Sequence, residues 1–564
     1  MSTEDCDTNA STADKGSKKM LKKRAKSCRA HQRPQRRTRR GISSPLGIAG
    51  ILALLMAGCG AVGTPIVTPT PIPPSPPTTL SAMDVDAIVK AALNSVSPTT
   101  MVVAVVDRAG NILAVWSKSP LPMNATGNFG MPIAANDLAI GLARTGAFFS
   151  NDQAPLTSRT VRFISGIHLP PGVKNQPNAD LYGIENTNRG CKLSADLEAS
   201  GLAPSTAFDG GMGLGAPGSG IITGKADMFD SDPNAVNPGG LPIFKGAVLV
   251  GGIGVAGVAP DVAEFAAFIG AQANGYSPLP SPLPLPGAVF LGGVVLPAIH
   301  QTTRPASVGV GTLVGGYVMN KTPFPIAGKP APEGDLVGPH TSVNPDPTNG
   351  GLTSAEVKQI LDNAEATANT TRAAIRLPLG SRVRMVIAVS DLNGTLIGLR
   401  RMPDATVFSV DVAASKARNM VYFNSASRTA GDLPGVPAGT AVTNRTISFG
   451  AQPLYPPGID GSNPGPFFNL YTQDVKFPCT QGMQAGPANV LKSGIVFFPG
   501  SAGLYRNGVL VGGLGVSGDG VDQDDYVTSG GTKGFEAPAS IRADQIMDQG
   551  VRLPYFKFPR NPTD

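Results

Sequence analysis

The sequence predicts an α+β protein built from one module present twice, at about residues 80–305 and 351–564, each copy a mainly antiparallel sheet with helices packed on it. Three observations predict it. Six sequence blocks recur in the same order at similar spacing. Each copy carries two hairpin-like pairs of β-branched runs joined by turn residues, and each alternates those runs with stretches of helical period. Two such modules in one chain would pack most simply as a pseudo-symmetric dimer, by analogy with two-fold homodimers.

The first block, Leu80-Ser81-Ala82-Met83-Asp84-Val85, parallels Leu352-Thr353-Ser354-Ala355-Glu356-Val357. Each reads as a helix start with a hydroxyl cap ahead of an acidic residue. The second block runs from Met101 through Asp107 and Gly110 and parallels Met385 through Asp391 and Gly394. An apolar run, a turn ending in Gly and another apolar run make a hairpin, and Asp107 and Asp391 read as turn residues accepting bonds from their own turns. Next comes a helix, residues 134–150 in the first copy. In the second copy Val410, Ala413, Ala414, Ala417, Met420 and Val421 share a face, with Asp411, Lys416 and Arg418 largely off it. Ser158-Arg159-Thr160 then parallels Asn444-Arg445-Thr446, a Gly-rich apolar run at 246–255 parallels 508–516, and Gly293 to Pro297 parallels Gly550 to Pro554. Residues 306–350 are rich in Pro and Gly and read as a linker.

The net charge of +7 would suggest a nucleic-acid partner, but residues 1–58 hold 13 Lys and Arg against 4 Asp and Glu, a surplus of +9 that leaves −2 for the rest. A body of balanced charge with one Trp has no electrostatic footprint for nucleic acid, and that class is excluded. The basic stretch precedes an apolar run from Leu46 to Ala57 that is too short to span a bilayer comfortably and ends in small residues, the pattern of a signal peptide over residues 1–58. Leu55-Met56-Ala57-Gly58-Cys59 resembles a lipobox, with Cys59 as the lipidated residue, and Thr38-Arg39-Arg40 resembles a twin-arginine signal. Residues 59–79, rich in Pro and Thr, suit an extended tether. The expected location is extracytoplasmic, membrane-anchored as a lipoprotein at the periplasm or cell surface.

Three ordered motifs carry a family resemblance: the Val103 to Gly110 hairpin, the helix segment Ala143-Arg144-Thr145-Gly146-Ala147-Phe148, and the strand Val509 to Gly518 with Ser517 and Gly518 in place. The chain resembles the GlcG/HbpS-like haem-binding proteins in both copies outside the insertions. The resemblance implies profilin-like modules and a haem cofactor. The second copy departs from the helix motif at Asn419, where the family has Thr, and both copies carry long insertions before the final hairpin. Ligand residues vary within the family, so none is carried over.

Haem iron needs a His, Met, Cys, Tyr or weaker oxygen ligand. After the leader the chain has His168, His300 and His340. His168, two residues before Pro170-Pro171-Gly172, is the best-placed metal ligand, but its counterpart is Leu454. Tyr182 and Tyr471 are equivalent between copies and could offer phenolate oxygen or simply pack. Arg159 and Arg445, also equivalent, could clamp a propionate or another small anion, or form structural ion pairs. Cys191 and Cys479 follow the Leu-Tyr pairs at nearly matching distances and could form one disulfide across the pseudo-two-fold axis. Gly251-Gly252-Ile253-Gly254 and Gly512-Gly513-Leu514-Gly515 lie within strand-like runs and lack a phosphate loop's Lys, so they read as places where a backbone or flat ligand approaches the sheet. The functional expectation is an exported lipoprotein binding haem or a related tetrapyrrole for storage, delivery or sensing. An envelope protein-interaction module, or an enzyme or accessory factor acting on a small organic acid or haem, is the alternative.

Overall fold

Ser81 and Thr353 cap the first helix of each copy, accepting from the backbone N–H of Asp84 and Glu356, whose carboxylates bond back to the cap. These reciprocal bonds satisfy donors that a helix start leaves open. The protein is represented by a computed structural model that describes residues 78–120, 124–130, 132–166, 181–187, 237–318, 324–343, 345–457, 459, 461–476 and 493–564. The chain divides into units Met1–Pro74 and Ser75–Asp564, and all described residues lie in the second.

The first copy runs α1 (Ala82–Ser95), β1 (Val102–Asp107), β2 (Ile112–Ser117), a short hairpin of β3 (Asn124–Thr126) and β4 (Pro132–Ala134), α2 (Ala135–Phe149) and α3 (Ser158–Gly166). It continues with β5 (Gly240–Lys245), β6 (Val248–Ala256), α4 (Pro260–Ala271) and a two-residue hairpin of β7 (Phe290–Leu291) and β8 (Val294–Val295). After β9 (Gly316–Tyr317) and β10 (Gly334–Val337), the second copy follows with α5 (Ser354–Thr370), β11 (Val386–Ser390), β12 (Leu396–Arg401), α6 (Phe408–Phe423), α7 (Asn444–Gly450) and α8 (Phe468–Lys476). It ends with β13 (Ser501–Arg506), β14 (Val509–Ser517), α9 (Val521–Gly531) and a matching hairpin of β15 (Met547–Asp548) and β16 (Val551–Arg552).

The two sheets are the same object built twice. Their strand orders, β5-β6-β1-β2-β9 and β13-β14-β11-β12-β10, correspond strand for strand, and every pairing is antiparallel. Residues 306–350, expected as a linker, do more than connect: β9 pairs with β2, and β10 with β12, so this segment supplies the fifth strand of both sheets. Two residues suffice for β9 because the aromatic edge contact of Trp116 with Tyr317, centroids 4.7 Å apart, and the Trp116 indole bond to the Val314 carbonyl at 2.9 Å hold it.

Each sheet is covered on both faces, which is why its strands read as continuous apolar runs rather than alternating ones. On β1, Val103 and Val105 face α1 and α4, while Val102, Ala104 and Val106 face α2. The paired glycines act as spacers for α2 and α6. A Cβ on Gly254 would sit 1.9 Å from the Ala139 carbonyl oxygen, and one on Gly515 2.1 Å from that of Ala413, so helix backbone lies directly on strand backbone.

The α2 side of the first sheet and the second module share one continuous apolar core. Within it Phe149 stacks on Phe408 at 4.1 Å, and the Val407 amide donates to the Phe148 carbonyl at 3.1 Å. Polar groups close the same seam: Arg376 pairs with Asp519 and, at 2.7 Å, with Asp404, whose carboxylate accepts from the Asp152 amide at 3.1 Å. This packing explains a difference from the sequence reading. Asp411, Lys416 and Arg418, placed off the apolar face of α6, are all buried, because a second layer covers that side. Among the described residues no helix is long and apolar enough to cross a membrane.

Candidate functional site

Arg159 and Arg445, expected as candidate anion clamps, lie in equivalent ion pairs. Arg159 donates from Nε and Nη2 to the two oxygens of Glu264 on α4, at 2.9 and 2.8 Å. Arg445 pairs with Asp525 on α9 through Nε, and with Asp522 at 2.7 Å. The partner carboxylates also accept backbone N–H groups, from His300 and Gln301 on Glu264 and from Gly500 and Lys557 on Asp525. The neighbouring Thr160 and Thr446 donate to the carbonyls of Pro297 and Pro554 at 2.6 and 2.7 Å. The repeated Arg-Thr pair therefore ties the short helix to the last helix and the terminal hairpin in both copies. Both arginines thus give their Nε and Nη2 donors to carboxylates of their own copy, and Arg445 also borders a cavity of about 300 Å³.

Tyr182 and Tyr471 are brought together. Their rings stack with centroids 4.6 Å apart at 25°, deep in a cluster with Phe497, and the Tyr182 hydroxyl donates to the Ala451 carbonyl at 3.2 Å. Burial raises the Tyr182 phenol well above its ordinary range, so it is held neutral and is a poor phenolate donor. Packing is the role the structure shows. His300 sits beside the Arg159–Glu264 pair, its imidazole pushed down by burial and by the Arg159 charge. His340 is exposed just beyond β10. His168, Cys59, Cys191 and Cys479 lie outside the described residues. Asp107 and Asp391 accept from their own turns, Asp107 from Ala109 and Asn111 and Asp391 from Asn393 and Thr395.

The cavity that stands out opens where β6 ends and α4 begins. It has a volume of about 580 Å³, and its walls include Leu138, Val255, Val262 and Val308, with Asn124 and Asn237 as polar groups. That volume lies inside the range of about 300–1,000 Å³ usual for small-molecule sites. The β6–α4 segment is the equivalent of the Gly-Val-Ser-Gly motif in the second copy, since Gly254 and Gly515 occupy the same register against β1 and β11.

The second copy has a cavity at the same place, and it is almost closed. Ser517, Gly518, Gly520, Val521 and Asp524 line it where Ala256, Gly257, Ala259, Pro260 and Ala263 line the first, yet its volume is about 30 Å³. Two substitutions at lining positions fill it, and a third behind them pairs with one of the two. Phe498 stands where Asn237 does, and Lys416 and Asp524 stand at the positions of Leu142 and Ala263. The Lys416 ammonium donates to Asp524 at 3.0 Å and to the Val516 carbonyl at 2.7 Å, and lies 4.9 Å over the Phe498 ring. Burial pushes the Asp524 carboxyl up to about 7 against the pull of Lys416, and pushes Lys416 down. Phe149, Ile164 and Leu181 of the first module seal the rest.

Sequence reasoning missed both cavities, because it searched for residues shared by the copies. The signal was present in the differences, where Val258-Ala259-Pro260 becomes Asp519-Gly520-Val521 inside an otherwise matching block. Among the described residues no group of three or more His, Cys, Asp or Glu could hold a metal ion.

Fold and cavity together define a duplicated antiparallel module, covered on both faces, with a small-molecule-sized cavity in its first copy. Residues 352–533 match the family described as haem degrading protein HbpS-like. Corrinoid adenosyltransferase PduO of Salmonella typhimurium (strain LT2) is 29% identical over 154 residues, 27% of this chain and 33% of the relative, and that of Citrobacter freundii matches to the same extent. The chain thus spans about a third of the length of the curated relatives it matches. Solved structures that align include a PduOC–haem complex (22% identity, 33% of this chain and 97% of the other, TM-score 0.21). Klebsiella pneumoniae protein ORFY (20%, 35% and 99%, 0.22) and a double mutant of Streptomyces reticuli HbpS (16%, 35% and 99%, 0.19) also align.

Proposed function

We propose that the protein binds haem or a related tetrapyrrole, held outside the cytoplasm by a lipid on Cys59, for storage, delivery or sensing. The observation that carries this reading is the match of the second module to a family described by haem. The name of the corrinoid-acting relatives supports the same ligand class, since a corrin is also a flat tetrapyrrole macrocycle. Bound haem would supply a redox-active iron or, in storage and delivery, simply be the cargo.

The described residues fit the macrocycle better than the iron. Leu138, Val255, Val262 and Val308 offer apolar faces, and the Asn124 and Asn237 amides are donors suited to propionates at the rim. The described lining contains no His, Met, Cys or Tyr, so no axial ligand is assigned. Titration of the chain from Cys59 onward with haem and with iron-free protoporphyrin tests the reading. A Soret shift with haem and comparable binding of the iron-free ring are expected, and no binding of either rejects it. If haem binds, a Soret band that survives ascorbate favours binding, whereas its loss with iron release favours the enzymatic alternative. Membrane recovery of the wild type and release of Cys59→Ala test the anchor.

A further inference from the structure

We infer that the duplicated site has divided its roles: the first module's cavity takes the ligand, the second module's copy is a sealed structural joint, and the chain therefore binds one tetrapyrrole, not two. The inference rests on the ligand reading above, carries it from the family-matched second module to the equivalent cavity of the first through the repeat, and adds where and how many.

Six lining positions correspond between the cavities, so the comparison is of one site with itself. In the first module these are Asn237, Ala256, Gly257, Ala259, Pro260 and Ala263, small or short side chains that leave about 580 Å³ open. In the second, Phe498 and Asp524 occupy the ends of the same set, and Lys416 enters from α6 to neutralise Asp524. About 30 Å³ remains, room for little more than a water. A flat macrocycle could enter only by displacing Phe498 and separating a buried ion pair, which would leave an uncompensated charge.

What covers the second cavity also explains why it closed. Phe149, Ile164 and Leu181 come from the first module, and Phe149 stacks on Phe408 beside them. An open pocket here would be a hole in the core joining the modules. In the first module, by contrast, Asn124, Thr126 and Ala259 at the equivalent cavity are exposed to solvent, and among the described residues nothing from the second module lines it.

The test is a stoichiometric titration of the chain from Cys59 onward with haem and with protoporphyrin, on the wild type and three variants. Ala259→Trp and Thr126→Trp place an indole at two exposed lining positions of the open cavity, and Phe498→Ala disturbs the closed one. The expected result is one ligand per chain, an affinity loss of more than tenfold in each tryptophan variant with an unchanged far-UV spectrum, and unchanged stoichiometry and affinity in Phe498→Ala. Two ligands per chain, or one whose affinity survives both tryptophan variants, overturns this inference while leaving the tetrapyrrole reading intact. No binding by the wild type overturns both.

Discussion

Tyr182 of the first module and Tyr471 of the second, equivalent residues of the repeat, stack face to face with centroids 4.6 Å apart. The two copies of the repeat thus touch through the same residue at this point of the joint, although the rest of the joint is not reciprocal: Phe149, Ile164 and Leu181 of the first module reach the second cavity.

Truncating either ring should loosen the joint between modules. Tyr182→Ala is expected to cost about 3–5 kcal/mol, the range for deleting a buried aromatic side chain. Tyr182→Phe keeps the stack and loses the bond to Ala451, for about 1 kcal/mol. Urea unfolding curves read both; equal costs for the two variants would show that the stack contributes nothing.

Cys191 and Cys479 follow these tyrosines by nine and eight residues. Each is the lone cysteine of its copy, and we propose one disulfide joining them in the exported protein. Mass spectrometry under non-reducing, denaturing conditions should find the two thiols oxidised and no alkylation, and alkylation of both sinks the pairing.

Arg159 should matter for stability and not for ligand affinity. Arg159→Met leaves Glu264 buried without its partner, an expected loss of about 3–5 kcal/mol, whereas the double variant with Glu264→Met should recover most of it. A drop in tetrapyrrole affinity in the double variant at restored stability would return Arg159 to the list of ligand contacts.

The seam carries a pH response. Burial and the neighbouring Asp404 carboxylate push Asp152 up to about 6, against the opposing pull of Arg108 and Arg376. A carboxyl whose folded-state value is raised favours the folded protein when protonated, so its contribution is present at low pH and is lost as pH rises through about 6. Asp152→Asn should therefore gain on the wild type between about pH 4 and 7, by ~1 kcal/mol after allowing for partial exposure. Thermal melts across that range would show a constant difference if Asp152 does not titrate there.

Much of the fold was legible because it is written in local chemistry. Ser81 with Asp84 and Thr353 with Glu356 announce helix starts, Asp107 and Asp391 close hairpins, and the order of the six blocks predicts two copies of one sheet. The edge strands β9 and β10 were not legible. A pair of residues in a Pro- and Gly-rich segment has no periodicity to read, and its pairing is decided by where the segment crosses the sheet edge. Nor was the burial of Lys416 and Arg418, since helical period distinguishes faces but cannot say that both are covered.

For the site, agreement between the copies pointed at residues that form ion pairs and packing contacts in the fold. Arg159 with Arg445, and Thr160 with Thr446, are shared because both modules need the same clasps. The sequence by itself determined the duplication, the module's elements and the residues that hold each module together, because those depend on neighbours along the chain and on a pattern used twice. Only the tertiary structure decided which copy keeps an open cavity. That choice depends on Phe149, Ile164 and Leu181 reaching across the joint, and on Lys416 meeting Asp524 from a different element, contacts between residues far apart in the chain that no local pattern records.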